Sequence, residues 1–412
     1  MNKRSKAASS FGTATKSGWS ISSIGEECTV VNGGTPKTGV SAYWDGEIRW
    51  ITPAEMGKRN TPFIAETRRT ITQEGVRDSS ATLLPPYSVI MSSRAPIGHL
   101  VINTEVMATN QRCKGLVPKK RILYKYVYYY LLSIVDLLNS LGSGTTFKEL
   151  SGGKLKEVPI PIAPMSEQVR IVAILDEAFE GIATAEANTQ RNLKNSRDIF
   201  DSCLELRLAG THPGWVTKPL SELCEFKHGF AFKSEHFLSE GEYVLLTPGN
   251  FYEHGGYKDR DEKQKYYGVE FPNDFLLNSG DLLVAMTEQA AGLLGSPIIV
   301  PESGYFLHNQ RLGLVKSRPG VPWLNRFFFY VFNTKSFRKA VHDGASGVKV
   351  RHTSPTKLGE VFVSFPLSLE VQQAVVTEME EAYSDTLRLE AIYTKKLIAM
   401  KQLGQSLLHQ AF

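Results

Sequence analysis

The sequence predicts an α+β protein of two tandem α/β domains, each followed by a long helix, the two helices pairing as an antiparallel coiled coil in a pseudo-twofold arrangement. Three observations predict it. Residues 166–210 and 368–411 contain no proline and carry apolar residues at three- and four-residue steps, the mark of a helix with one buried face. The rest of the chain repeats itself once, in the same order throughout. Inside each repeat, short apolar runs are separated by Gly, Pro, Asn and Ser clusters, which read as strands and turns.

Taken in order, residues 1–17 hold Lys3, Arg4, Lys6 and Lys16 without an apolar stretch of the signal-peptide kind and read as a flexible tail. The first domain occupies 18–165, with strands predicted at 30–34, 48–52, 88–92 and 99–102 and a packed helix at 124–139. The central helix follows at 166–210. Its seam is predicted through Ile171, Leu175, Ala178, Ile182 and Ala185, then Ile199, Cys203 and Leu206; Glu167 suits the first turn, and Gly210 with Pro213 supplies a stop. At about 1.5 Å per residue such a helix is about 65 Å long, more than one small domain can cover. The second domain occupies 211–367, with strands at 243–247, 281–287 and 296–300 and a helix at 323–334. The closing helix, 368–412, keeps the rhythm with Val375, Met379, Ala382, Leu389, Tyr393, Met400, Leu403 and Leu407. The two helices most simply cover each other.

The repeat is seen at a shift of 196, which lays Trp19, Ile24, Glu26 and Cys28 over Trp215, Leu220, Glu222 and Cys224, Gly33 over Gly229, and Lys37 over Lys233. With small changes of shift, Thr52-Pro53 matches Thr247-Pro248, Leu83-Leu84 matches Leu276-Leu277, and Asn110-Gln111-Arg112 matches Asn309-Gln310-Arg311. Lys154-Leu155 and Glu157-Val158 then match Lys357-Leu358 and Glu360-Val361. Two similar domains on a helical spacer suit a target that itself repeats, such as duplex DNA contacted at two half-sites; diverged copies would read two different half-sites.

Of the 412 residues 42% are hydrophobic, enough for real cores, and no apolar run approaches the ~20 residues of a membrane span. The four cysteines are far apart, so neither a disulfide framework nor a zinc site is suggested, and a reducing, cytoplasmic setting fits. Net charge is +5, divided as +6 over residues 1–210 and −1 over 211–412. Such a balance permits nucleic-acid binding without demanding it, so any basic surface is local.

No catalytic or metal-binding constellation stands out. Leu84-Pro85-Pro86-Tyr87 looks like the motif that holds the target amino group in adenine-N6 methyltransferases, but leucine cannot accept the required hydrogen bond, and no glycine-rich cofactor loop is present; a turn before a strand is the better reading. Gly142-Ser143-Gly144-Thr145 lacks the lysine and spacing of a phosphate loop. Polar residues suited to DNA are more plentiful. Lys37 and Lys233 follow glycine turns where a cation could reach a phosphate, and Asn110, Gln111, Arg112 and Asn309, Gln310, Arg311 have side chains suited to adenine and guanine edges. Residues shared by both copies fit scaffold or phosphate roles better than discrimination. Discrimination is expected where the copies differ: the loop of Lys58, Arg59 and Asn60 with Arg68 and Arg69, and the stretch 254–267 with Lys258, Arg260, Lys263, Lys265, Tyr266 and Tyr267. Arg94 and Thr287, Glu288 and Gln289 occupy corresponding strand ends.

Over nearly its full length the chain resembles the specificity subunit of type I restriction-modification systems. The resemblance is carried by GGTPK at 33–37, SSRAPIG at 92–98, TNQR at 109–112 and above all KLKEVPIPIAPMSEQVRIV at 154–172, with FKHGFAFKS at 226–234, MTEQAAGLLG at 286–295 and KLGEVFVSFPL at 357–367 in the second half. Gln168 and Arg170 have no counterpart at Val371 and Gln373. The resemblance implies two target-recognition domains binding a bipartite, asymmetric DNA target, with no catalysis in this subunit. It implies two modification subunits that methylate adenine N6 with S-adenosylmethionine, and restriction subunits that use ATP and Mg2+ in phage defence. The outer helix faces would then dock partners. The same architecture would also serve a scaffold that bridges two identical proteins without touching DNA.

Overall fold

A computed structural model describes residues 16–59, 61–144, 147–210, 212–288, 292–347 and 350–412. The predicted tail, Asn60, Thr145 and Gln289 fall wholly or mostly outside these. The chain forms two compact units, one of residues up to Gln190 with Lys395–Phe412, the other of Arg191–Thr394.

In the first unit a five-stranded sheet runs in the order Cys28–Asn32, Cys113–Pro118, Val89–Ser93, Ile97–Asn103, Phe63–Ile64, beside a three-stranded sheet of Arg69–Ile71, Trp44–Ile51 and Met107–Thr109. Ser20–Ser23 pairs antiparallel with Pro159–Ile162 and so closes the domain where the long helix leaves it. The helix predicted at 124–139 is two helices, Tyr124–Ser133 and Val135–Leu141, broken at Ile134, whose φ of −112° departs from helical geometry. Tyr126, Val127 and Leu131 of the first join Val89, Met91, Leu116 and Ile160 in one core, which also takes in Ile171, Val172, Leu175 and Leu408 of the long helices. At about 1.5–3 kcal/mol for each fully buried large side chain, this shared core is what fixes the helices to the domain.

The second unit repeats the plan. Trp215–Pro219 pairs with Phe362–Pro366, and four-stranded sheets are built around Leu282–Ala285 and Tyr243–Leu246. The predicted helix at 323–334 is shorter, Asn325–Asn333, and an unpredicted helix, Lys335–Asp343, follows at once because Thr334 caps it by accepting from the Phe337 N–H.

The long helices span Met165–Leu208 and Leu369–Ala411, and each is divided between the two units. Within the second unit they run antiparallel: Arg197 pairs with Glu390, Phe200 lies against Tyr383 with ring centroids 5.3 Å apart, and Arg207 meets Glu378 at 2.9 Å. Such surface ion pairs contribute about 0.2–1 kcal/mol each, so the apolar seam is the larger effect. The predicted seam needs correction from Ala185 onward, and Ala185 itself is exposed. Ile199 and Leu206 are 63% and 80% exposed and Cys203 is exposed, while Phe200, Leu204 and Leu208 pack inward. At 3.6 residues per turn these are neighbouring faces of one helix, and apolar spacing alone does not tell them apart. Leu389 and Leu403 are likewise exposed.

A second correction concerns the helix starts. Gln168 is fully buried; its Oε1 accepts from Leu123 N at 3.0 Å, and its Nε2 donates to Arg121 O at 3.0 Å and Ala163 O at 2.9 Å. Gln372 does the same with Leu324 N, Pro322 O and Pro366 O, at 3.0, 2.9 and 3.0 Å. Gln372 is therefore the counterpart of Gln168. From the accepting carbonyl, Ala163 or Pro366, to the glutamine is five positions in the first copy and six in the second, so direct alignment falls out of step. Arg170, bidentate on Glu167 at 2.7 and 2.8 Å, is left without a counterpart.

Candidate nucleic-acid interface

In each domain some of the candidate residues follow the ends of two adjacent parallel strands. Arg49, Trp50 and Ile51 pair in parallel with Met107, Ala108 and Thr109, so the chain leaves both strands at one rim, toward Lys58 on one side and Asn110–Gln111–Arg112 on the other. The antiparallel strand Val89–Ser93 ends at the same rim, where Ser93 N donates to Arg112 O at 2.7 Å, and there it hands over to Arg94. In the second domain Val244, Leu245 and Leu246 pair in parallel with Phe306, Leu307 and His308, and Met286 N donates to Arg311 O at 3.0 Å.

The Asn-Gln-Arg turns are built alike. Asn110 and Asn309 accept from the main-chain N–H of Arg112 and Arg311, both at 3.0 Å. Gly33 and Gly229 lie against them so closely that an added Cβ would stand 2.0 Å from Asn110 O and 2.2 Å from Asn309 O. This is a scaffold role for the asparagines. Gln111, Arg112, Gln310 and Arg311 are exposed at the tip.

Around this turn in the first domain, Lys37 is exposed on a loop held by Trp44 Nε1 donating to Lys37 O at 3.2 Å and Trp50 Nε1 donating to Gly34 O at 2.9 Å. The Arg69 guanidinium lies 3.6 Å over the Trp44 ring, a cation–π contact that holds a cation at the surface with little freedom. Arg68 is exposed, its N–H held by Glu55 at 2.7 Å; Lys58 is exposed, and Arg59 donates to Phe63 O at 3.1 Å. Arg94 faces Glu149 at 3.5 Å. The two tryptophans and Thr35 were not singled out by sequence, although Thr35 lies inside the GGTPK motif.

In the second domain Lys258, Arg260 and Lys263 line an open basin of about 970 Å³ with Tyr252 and His254. Glu253, Asp259, Asp261 and Glu262 line it too, so the stretch is mixed in charge rather than simply basic. Burial and the nearby Arg197 hold the His254 imidazole below its ordinary pKa. Lys258 lies 5.6 Å from the Tyr252 ring, Lys265 lies over Phe237, and Tyr267 is buried. Lys233 is exposed, 3.9 Å from Glu235.

Glu288 leaves the set of base-reading candidates. It is 4% exposed, and its Oε2 accepts from the N–H groups of Gly292, Leu293 and Leu294 at 3.0, 3.0 and 2.9 Å. Arg338 grips the same loop from the other side, donating to Leu294 O at 3.0 Å and to Gly292 O. Thr287 pairs with His352 in a short antiparallel bridge.

The Leu84–Tyr87 motif is a turn before the strand Val89–Ser93. Tyr87 has φ +64°, and Gly280, at the matching place in the second domain, has φ +86°, so the turn is shared and the side chain is not. Among the described residues no group of His, Cys, Asp and Glu is placed to hold a metal ion, and no helix is long and apolar enough to cross a membrane.

Comparison with known proteins gives a consistent picture. The family described as type I restriction modification DNA specificity domain matches twice, at residues 16–195 and 213–398. The type I restriction enzyme MjaIX specificity subunit of Methanocaldococcus jannaschii is 34% identical over 230 residues, 51% of this chain and 52% of that protein. The EcoR124I/EcoR124II specificity subunit of Escherichia coli is 33% identical over 193 residues, 43% and 47% of the two chains. The chain thus spans about half the length of the curated relatives it matches. Among solved structures, a chain from one described as the structural basis of complex assembly and conformational transition of the type I R-M system superposes with a TM-score of 0.77 at 16% identity, over 97% of this chain and 99% of that one. The HsdS subunit from Thermoanaerobacter tengcongensis gives 0.58 at 16% identity, over 98% and 99%. At that identity the likeness is one of fold.

Proposed function

Because this chain belongs to the type I restriction modification DNA specificity family, we propose that it is the DNA-reading subunit of a type I restriction-modification complex, contacting one half of a split, asymmetric target with each domain. The observation that carries this reading is the repeated rim: in both domains two parallel strands deliver an exposed Gln-Arg tip beside an exposed lysine, Lys37 or Lys233. Lysine and arginine there would hold phosphates, and the glutamines and the diverged loops would meet base edges. The subunit itself performs no chemistry in this reading. Adenine-N6 methylation with S-adenosylmethionine, and ATP- and Mg2+-dependent translocation and cleavage, belong to partner subunits in the cytoplasm. The exposed apolar residues of the long helices support docking of two modification subunits, one on each unit: Val169, Ile174 and Ile398 in the first, Ile199, Leu206 and Ile392 in the second.

The test is DNA affinity of the assembled methyltransferase as a function of salt. Substituting Lys58 and Arg59, or Lys258 and Arg260, by alanine should weaken binding and lower the salt slope by about one for each phosphate contact removed. Unchanged affinity and slope in both double variants would remove these loops from the interface. The scaffold reading rests on the same exposed helix faces, and assembly of two partners that is indifferent to salt and to DNA would favour it.

A further inference from the structure

The Asn-Gln-Arg turns of the two domains differ in one hydrogen-bonded chain. In each, the asparagine Oδ1 accepts from the arginine main chain at 3.0 Å, which turns the amide nitrogen away from the arginine. In the first domain that nitrogen, Asn110 Nδ2, donates to Thr35 Oγ1 at 2.9 Å, and the Thr35 hydroxyl in turn donates to Gln111 Oε1. Direction follows from the groups. A threonine hydroxyl has one proton to give, and once it has accepted from Asn110 that proton needs an oxygen. If the Gln111 amide were turned over, two nitrogens would face Thr35 and the hydroxyl proton would be left to solvent in place of an amide oxygen. Gln111 therefore has its carbonyl turned toward Thr35, one lone pair held there, and its NH2 turned outward at an exposed tip. In the second domain the residue at the place of Thr35 is Ala231, whose methyl group offers Gln310 no hydroxyl.

We propose that Thr35 is a positioning residue that sets base preference in the first domain by holding the Gln111 carbonyl back, so that its NH2 is presented first. An amide presented NH2-first suits a major-groove edge that presents acceptors, above all guanine with O6 and N7. Gln310 keeps both a donor and an acceptor, and so suits adenine with N7 and the N6 amino group. Two turns of identical main chain thus read different bases, and the difference comes from a residue 76 positions upstream of the glutamine. The inference rests on the DNA-reading role proposed above.

The experiment is N6-methyladenine mapping in cells expressing the full chain with its adenine methyltransferase partner, for the natural protein and for Thr35→Ser, Thr35→Val and Gln111→Glu. Thr35→Ser retains the hydroxyl and should retain the motif. Thr35→Val frees the Gln111 carbonyl and should shift relative methylation about tenfold toward adenine at one position of one half-site, with the other half unchanged. Gln111→Glu, an acceptor-only side chain at an exposed site, should move the same position toward bases that present an amino group. If Thr35→Val abolishes methylation altogether, Thr35→Ala, which carries the residue found at Ala231 in the second domain, is read in its place. A split motif that depends on the chain but keeps that position in Gln111→Glu, or in Thr35→Val, overturns the role of Thr35 and leaves the DNA-reading role standing. No chain-dependent motif in the natural protein overturns both.

Discussion

Gly33 and Gly229 show how much a single position can carry. Each lets a loop approach the main-chain oxygen of an asparagine that organises the candidate interface, and a methyl group there would stand about 2 Å from that oxygen. Gly33→Ala or Gly229→Ala should therefore destabilise its own domain by about 3 kcal/mol, as overpacking against main chain does, read as a lowered denaturant midpoint. His308 gives a prediction in pH. It is fully buried, its Nε2 lies 2.9 Å from Leu312 O, and burial pushes its pKa down to about 4. Between about 6.5 and 4 the unfolded chain takes up a proton that the folded chain refuses. This contribution is thus fully present above about 6.5 and is lost as pH falls toward 4, by roughly 3 kcal/mol in all. His308→Gln cannot titrate, and the loss of stability between pH 7 and pH 5 should be smaller in it than in the natural protein; an equal loss would exclude His308 as a source. At this scale the sequence was legible only in part. The repeat marked the glycines and the Asn-Gln-Arg turns. It could not mark Glu288 as a loop clamp, because its partners are main-chain N–H groups, and Arg338, which grips the same loop, lies fifty residues away in sequence.

At the level of elements, the long helices were legible because proline-free amphipathic rhythm is a local signal. The observed Met165–Leu208 and Leu369–Ala411 lie within two residues of the expected limits. The seam was legible only near the domains, where Ile171, Leu175, Val375 and Met379 are buried. Farther along, Thr189, Ser196 and Thr386 take buried positions, so polarity no longer marks the inward face. The break at Ile134 was hidden for a related reason: no glycine or proline stands near it, and the apolar rhythm continues from Leu132 to Leu137 and Leu138. The buried glutamines Gln168 and Gln372 join each helix to its domain through three hydrogen bonds apiece. Gln168→Ala or Gln372→Ala leaves one N–H and two carbonyls without these partners, at a cost of about 1–3 kcal/mol for each buried group that water cannot reach. Hydrogen exchange should show the first turn of that helix opening more readily in the variant, with the other helix start unaffected. Equal protection in the variant and the natural protein would refute the joint.

On the scale of the whole molecule, the duplication was the most legible feature, since order and spacing survive where identities do not. What duplication could not reveal is which residues discriminate, because discrimination resides in the parts that diverged, and the one candidate resolved in hydrogen bonds depends on Thr35 meeting Gln111 across the fold. Modularity follows from the two-domain plan. Exchanging residues 211–366 for those of a relative should change one half of the recognised DNA and leave the other. The most direct measurement is single-molecule sequencing of N6-methyladenine in DNA from cells expressing this chain with its modification subunit, against cells lacking the chain. A split, asymmetric motif should appear and should vanish without the chain. An active modification subunit whose methylation pattern is the same in both would contradict the DNA-reading role.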